Sequence, residues 1–137
     1  QDNESKSSKG VLRGLHYQTA PYTQAKLVRV TNGRVLDVAL DIRKNSKSFG
    51  SHVAIELSEK NKRQLFIPRG FAHGFVVLSE SATISYKVDA YYSAENSEGI
   101  AYNDHEINID WGFNANEIIL SETDKNFPNL KDCDKLL

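Results

Sequence analysis

Short segments in which apolar and polar side chains alternate constrain the fold of this chain more than any other feature. In the run 34–43, every even-numbered residue from 36 to 42 is aliphatic, whereas Asp37 and Asp41 occupy odd positions. Successive side chains of a β-strand point to opposite faces, so this pattern predicts a half-buried strand. The two carboxylates could form a functional pair, but a solvated face is the expected reading.

The same alternation recurs along most of the chain. It predicts further strands at 26–31, 53–57, 64–67, 74–78 and 82–88. Asn32-Gly33 predicts a type I′ hairpin between 26–31 and 34–43, because both positions of that turn favour positive φ. Helical or irregular structure is expected only from about Ser121. Many short strands without alternating helices predict one all-β domain over residues 1–137, an antiparallel sandwich or barrel with a short helical C-terminal part.

Charge and cysteine content restrict the classes of partner. The chain has 17 Lys and Arg against 18 Asp and Glu, which gives no general attraction to nucleic acid or to an anionic membrane. Cys133 is the single cysteine, so neither a disulfide framework nor a cysteine metal cluster is expected. No apolar run approaches the ~18 residues of a membrane span, and no signal peptide is visible. We therefore expect a cytoplasmic protein.

A histidine and an arginine stand in the apolar, strand-like run 10–18. His16 could act as a general base, because a neutral imidazole accepts a proton near neutral pH. Arg13 lies three residues before it, so an unbroken strand would place the two side chains on opposite faces. Gly14 predicts a β-bulge that re-aims its neighbours.

Three further residues at strand positions extend this candidate site. Lys26 could stabilise a developing oxyanion as a fixed ammonium, and His73 and Tyr86 share strand parity with apolar neighbours. Each residue also has an ordinary structural reading, as a core histidine, a solvated strand end or an amphipathic core tyrosine. Their combination favours a site, whereas His52 and His105 have polar neighbours and are expected on the surface.

A metal site needs a separate test, because double-stranded β-helix proteins often hold iron or manganese. Such sites use a His-x-His or His-x-Asp/Glu pair, whose alternate side chains reach one ion. Gln18 and Phe75 occupy the partner positions for His16 and His73. We therefore expect neither a metal nor another cofactor, which disfavours a metal-dependent oxygenase.

Several longer motifs connect these residues to a known family. They lie at 10–18, 24–30, 37–43, 48–50, 67–75, 86–87 and 109–111. In composition and order they closely resemble the dTDP-4-dehydrorhamnose 3,5-epimerases of dTDP-L-rhamnose synthesis. The resemblance implies a metal-free, cupin-type jelly roll that works as a homodimer on a nucleotide sugar.

The resemblance also implies a mechanism. The family's substrate carries a ketone at carbon 4, which acidifies the hydrogens on carbons 3 and 5. Inversion then needs a base, an acid on the opposite face and a group that stabilises the enolate. By resemblance, His16 is the base oriented by Asp124, Tyr86 is the acid, and Lys26 lies near the carbon 4 oxygen.

Substrate-binding roles follow from the same resemblance. Gln1, Asn3 and Arg13 match residues that hold the nucleotide and its diphosphate, and His73 matches a residue that contacts the sugar.

The chain departs from the family pattern in three places: an N-terminal segment that helps to hold thymine does not precede Gln1, the acidic residue Glu98 comes one place late, and Thr123 replaces a lysine. We expect that an N-terminal piece is missing.

Other functions stay open at this point. An epimerase of a single carbon, or a keto-isomerase of another nucleotide deoxysugar, can share the same base, acid and lysine. A non-catalytic sugar-nucleotide-binding protein is expected to lack the base or the acid, and both are present.

Overall fold

The computed structural model describes residues 1–137 as nine strands in two antiparallel sheets. One sheet has the order β1-β8-β3-β6 and the other β5-β4-β7-β2-β9, which confirms the predicted all-β jelly roll. The strands are β1 (Asp2–Ser8), β2 (Leu12–Gln18), β3 (Lys26–Asn32), β4 (Arg34–Asp41), β5 (His52–Ser58), β6 (Gln64–Ile67), β7 (Phe71–Val77), β8 (Ser81–Val88) and β9 (Ser97–Gly99). One short helix, α1 (Glu122–Lys125), and three 3-10 turns complete the chain. None of these helices is long and apolar enough to cross a membrane.

Two apolar clusters hold the layers together. The first fills the space between the sheets and includes Val28, Phe75 and Ile84. The second covers the outer face of the five-stranded sheet, where Trp111 and its neighbours in the C-terminal segment pack on Leu40. Fully burying a valine, leucine or isoleucine side chain contributes about 1.5–3 kcal/mol to the free energy of unfolding. Both faces of the five-stranded sheet therefore stabilise the fold.

Burial on both faces corrects the half-buried strand predicted at 34–43. Asp37 and Asp41 are 0% and 1% exposed, because β4 lies between β5 and β7 in the sheet that is covered on both sides. The Arg43 guanidinium donates to both carboxylate oxygens of Asp41 at 2.9 Å and holds the pKa of that carboxyl well below its usual range. The prediction of a solvated carboxylate face was therefore wrong.

The predicted hairpin at Asn32-Gly33 was also wrong. β3 and β4 belong to different sheets and do not pair, so this link carries the chain from one layer to the other. Gly33 does have a positive φ of 76°, and a Cβ there would collide with the backbone of Ser81. A local turn signal reports that the chain changes direction, but not which sheet each flanking strand joins.

The ends of the chain show where alternation fails as a signal. The predicted strands 53–57, 64–67, 74–78 and 82–88 are confirmed within a few residues. β1 was missed because its residues are polar throughout, and β9 because it has only three residues. Irregular structure begins near Ile100 rather than at Ser121.

A β-bulge at Gly14 is confirmed, and it positions the candidate site. The register of β2 against β7 shifts between Arg13 and His16. Gly14 has a φ of 131°, a backbone conformation that residues with a side chain rarely adopt. A Cβ at this position would lie 2.6 Å from Gly74 Cα. Beyond the bulge, His16 pairs with both His73 and Gly99 on the flanking strands.

Candidate active site

A cavity of about 640 Å³ opens where β3 begins and β8 ends. Its size is that of a small-molecule site, and both sheets contribute to its wall. The lining residues are Gln1, Asn3, His16, Tyr17, Gln18, Gln24, Lys26, Tyr86, Val88, Tyr92, Ala94, Ser97, Thr123, Asp124 and Phe127.

His16 and Asp124 form a bonded pair on one side of this cavity. His16 Nε2 lies 2.7 Å from Asp124 Oδ1, and Asp124 Oδ2 accepts from the backbone N–H of Gly14 at 3.0 Å. Asp124 lies in α1, where its own N–H donates to the capping hydroxyl of Ser121. When the carboxylate accepts a hydrogen bond from Nε2–H, Nδ1 carries the free lone pair and is the basic atom of the imidazole.

Asp124 is ionised in this setting. Burial would raise the pKa of its carboxyl, but the hydrogen bond and charge of His16, with Gly14 and Ser121, hold the pKa below its ordinary value. The pair therefore combines a fixed negative charge with an imidazole whose side chain is 41% exposed.

Lys26 and Tyr86 belong to the opposite sheet and lie close together. The Lys26 ammonium is 6.0 Å from the centroid of the Tyr86 ring. Burial lowers the pKa of Lys26 to about 8, opposed by the charge of Asp37, so the amine is mostly charged at neutral pH. Burial raises the pKa of Tyr86, opposed by Arg13, which keeps the phenol protonated and able to donate.

His73 and Asp37 form a second, fully buried pair between the sheets. His73 Nε2 lies 2.6 Å from Asp37 Oδ1, while Asp37 Oδ2 has no hydrogen-bond partner. The predicted inward orientation of His73 is confirmed, because it is 7% exposed and its ring centroid lies 6.5 Å from that of Phe75. Neither member of the pair is among the residues that line the cavity.

The other predicted binding residues divide between the cavity and its surroundings. Gln1 and Asn3 line the cavity and are joined by a hydrogen bond of 3.0 Å. Arg13 is exposed beside it and donates to Ser7, and Glu98 is bonded to Lys135 at 2.9 Å. Their binding roles stay predictions.

Several residues at the site escaped sequence reasoning. Gln24, Tyr92 and Phe127 line the cavity from loops, where no periodic signal marks them. His105 is exposed as predicted, whereas His52 is half-buried at the start of β5. The structure contains no group of three or more His, Cys, Asp or Glu side chains that could hold a metal ion.

Comparison with known proteins decides the family. The family described as dTDP-4-dehydrorhamnose 3,5-epimerase matches residues 1–132. The chain belongs to this family. It is 54% identical over 134 residues to the Shigella flexneri dTDP-4-dehydrorhamnose 3,5-epimerase. The aligned region covers 98% of this chain and 73% of that protein.

Solved structures agree with the sequence match. The epimerase of Elizabethkingia anophelis superposes with a TM-score of 0.95 at 55% identity, over 96% of this chain and 72% of that one. The Legionella pneumophila dTDP-6-deoxy-D-glucose-3,5-epimerase, solved with dTDP-4-keto-L-rhamnose, gives 0.94 at 50% identity, over 98% and 70%. The resemblance stated from the motifs is thus confirmed, and the chain is an isomerase of the epimerase class with the cupin-type fold.

Proposed function

We propose that this epimerase inverts carbons 3 and 5 of dTDP-4-dehydro-6-deoxy-D-glucose to give dTDP-4-dehydro-L-rhamnose. One observation carries the proposal: His16, paired with Asp124 of α1, enters the cavity from the five-stranded sheet, and Tyr86 and Lys26 enter it from the four-stranded sheet. A sugar ring between them would have a base on one face and an acid on the other. The ligand of the Legionella pneumophila relative supports the choice of substrate.

The proposed chemistry uses these side chains in turn. His16 Nδ1 removes the proton from a carbon next to the ketone. The electron pair of that C–H bond forms a double bond to carbon 4, and the π pair of the carbonyl moves onto the carbon 4 oxygen. The Lys26 ammonium stabilises this enolate, since a fixed positive charge in a partly buried site lowers its energy. Tyr86 donates its phenolic proton to the opposite face of the carbon as the carbonyl re-forms, which inverts the centre. Exchange with solvent then takes the proton from the imidazolium and returns one to the tyrosinate before the second carbon reacts.

The remaining side chains would hold the nucleotide. The guanidinium of Arg13 suits a diphosphate, and Gln1 and Asn3 offer amide groups at the rim of the cavity. We assign nucleotide contact to Glu98, whose bond to Lys135 would have to loosen on binding. We do not assign direct sugar contact to His73, because it is 7% exposed and does not line the cavity.

We further infer that the chain is a single domain that forms a homodimer. Leu27 and Phe66 are neighbours across β3 and β6, and they are 36% and 63% exposed on the outer face of the four-stranded sheet. Apolar pairs on an uncovered sheet face favour association. Sedimentation should give twice the chain mass of 15.4 kDa, whereas a monomer at micromolar concentration would contradict the inference.

Replacing Asp124 by asparagine should weaken catalysis without abolishing it. Asp124→Asn removes the charge that orients His16 and stabilises its protonated form, but keeps the imidazole. We expect kcat to fall roughly 10- to 100-fold, less than the loss of a general base would cost. Asp132→Asn, at an exposed acid of the same segment, is the control and should retain wild-type kcat. Equal kcat in both variants would contradict the role of Asp124.

The pH dependence of kcat/KM should follow the protonation of Lys26. Its amine is charged below a pKa of about 8, so kcat/KM should decline as the pH rises through that value. In Lys26→Arg the guanidinium stays protonated, so this decline should disappear even though the absolute rate is lower. A pH–rate profile of both proteins tests this, and an unchanged alkaline decline in Lys26→Arg would assign it to another group.

Product analysis tests the proposed function as a whole. Purified protein is incubated with dTDP-4-dehydro-6-deoxy-D-glucose, and the product is identified by its proton couplings in NMR. The double epimer supports the proposal. A product inverted at one carbon would favour the single-site alternative, and tight binding without conversion would favour a non-catalytic protein.

A further inference from the structure

Phe127 lines the cavity in contact with the imidazole of His16 and has no role in the proposed mechanism. Its ring meets the His16 ring edge-on, with centroids 5.6 Å apart and planes at 83°. Edge-to-face aromatic contacts at this distance are attractive and directional. We propose, on the basis of the proposed function, that Phe127 is a positioning residue that holds His16 in its proton-accepting orientation.

The place of Phe127 depends on a missing side chain in β9. Gly99 pairs directly with His16 across β2 and β9, and a Cβ at Gly99 would collide with three carbons of the Phe127 ring. The φ of Gly99 is not positive, so no backbone conformation requires glycine here. The absence of a side chain at Gly99 therefore leaves the space that the Phe127 ring occupies beside His16.

The segment that carries Phe127 is fixed on both sides of the ring. Before it, α1 is capped by Ser121 and presents Asp124 to His16. After it, the carbonyl of Pro128 accepts from the N–H of Ala101 at 2.8 Å. One short segment thus holds the imidazole at two places: a carboxylate fixes Nε2, and an aromatic edge restrains the ring.

This arrangement predicts a defect in turnover rather than in binding. Phe127→Ala leaves the bond from His16 to Asp124 possible but removes the restraint on the ring, so Nδ1 would spend less time aimed into the cavity. We expect kcat to fall roughly tenfold with KM within about twofold, because small misplacements of a reacting group are costly. Phe127→Leu, which fills the space over Gly99 with an apolar side chain, should recover most of kcat.

The decisive readout is the tautomer of His16 in the ligand-free protein. Nitrogen-15 NMR of the ring should show Nε2–H alone in the wild type, and a mixture of tautomers in Phe127→Ala. Phe49→Ala, at an exposed phenylalanine between β4 and β5 that does not line the cavity, is the control and should match wild type in kcat and spectrum. This readout needs no substrate, so absence of epimerase activity would overturn the proposed function while the spectrum still tests the role of Phe127.

Gly99 provides a second test that does not depend on truncating Phe127. Gly99→Ala should displace the ring and lower kcat about as much as Phe127→Ala, roughly tenfold. In the double variant the new methyl group meets no ring, so kcat should equal that of Phe127→Ala alone. Independent, multiplicative losses in the double variant, or a wild-type tautomer pattern and kcat in Phe127→Ala, would overturn the proposal.

Discussion

His16→Ala should lower kcat by at least ~10²–10⁴-fold, the usual contribution of a positioned general base, and should leave the chain folded. The His16 side chain is 41% exposed and belongs to neither apolar cluster, so its removal creates no core cavity. Asp124 still accepts from Gly14 in the variant, which limits the cost of leaving its other oxygen without His16.

The measurement for this variant is deuterium uptake from solvent at carbons 3 and 5 of the substrate. Both uptakes should fall together, because the proposed mechanism uses the same imidazole at both carbons. His105→Ala changes an exposed histidine outside the cavity and should behave as wild type. Uptake near the wild-type rate at both carbons of His16→Ala would remove His16 from its role.

Tyr86→Phe should separate proton removal from inversion. The substitution deletes one hydroxyl but keeps the ring that lies 6.0 Å from the Lys26 ammonium, so the base and the oxyanion-stabilising cation stay in place. Deprotonation should continue, whereas delivery of a proton to the opposite face should slow by ~10²–10⁴-fold. We expect solvent exchange with retained configuration to persist while inverted product at carbon 5 falls sharply.

Comparing exchange with inversion in one reaction tests this assignment. Tyr91→Phe, at a tyrosine that is 81% exposed, is the control and should change neither rate. If exchange and inversion decline by the same factor in Tyr86→Phe, the tyrosine positions the substrate or packs the cavity instead of donating the proton.

The strands could be predicted because one face of each is apolar. That signal fails for β1, whose polar residues are held in the sheet by pairing with β8 rather than by burial. It also misplaced Asp37, because a buried carboxylate is costly and a pattern reading assigns it to solvent. The compensating partner, His73, lies on β7, a neighbouring strand that the sequence does not identify.

The candidate site was predictable only in part for a related reason. His16, Lys26 and Tyr86 are polar groups at strand positions, and their combination favoured a site. The same reasoning also selected His73, which does not line the cavity. Asp124 was assigned by resemblance alone, because its contact with His16 spans 108 positions of the chain. Phe127 has no periodic signal, since its place depends on how an irregular segment crosses Gly99.

One cavity should remove and return protons at both carbons that flank the ketone. Proton NMR of dTDP-4-dehydro-6-deoxy-D-glucose with the wild-type protein in deuterated buffer tests it most directly, since each carbon reports its own deprotonation. We predict loss of the proton signals at carbons 3 and 5 and accumulation of dTDP-4-dehydro-L-rhamnose deuterated at both. Retention of both signals with folded protein and saturating substrate would exclude epimerisation of this sugar by the protein.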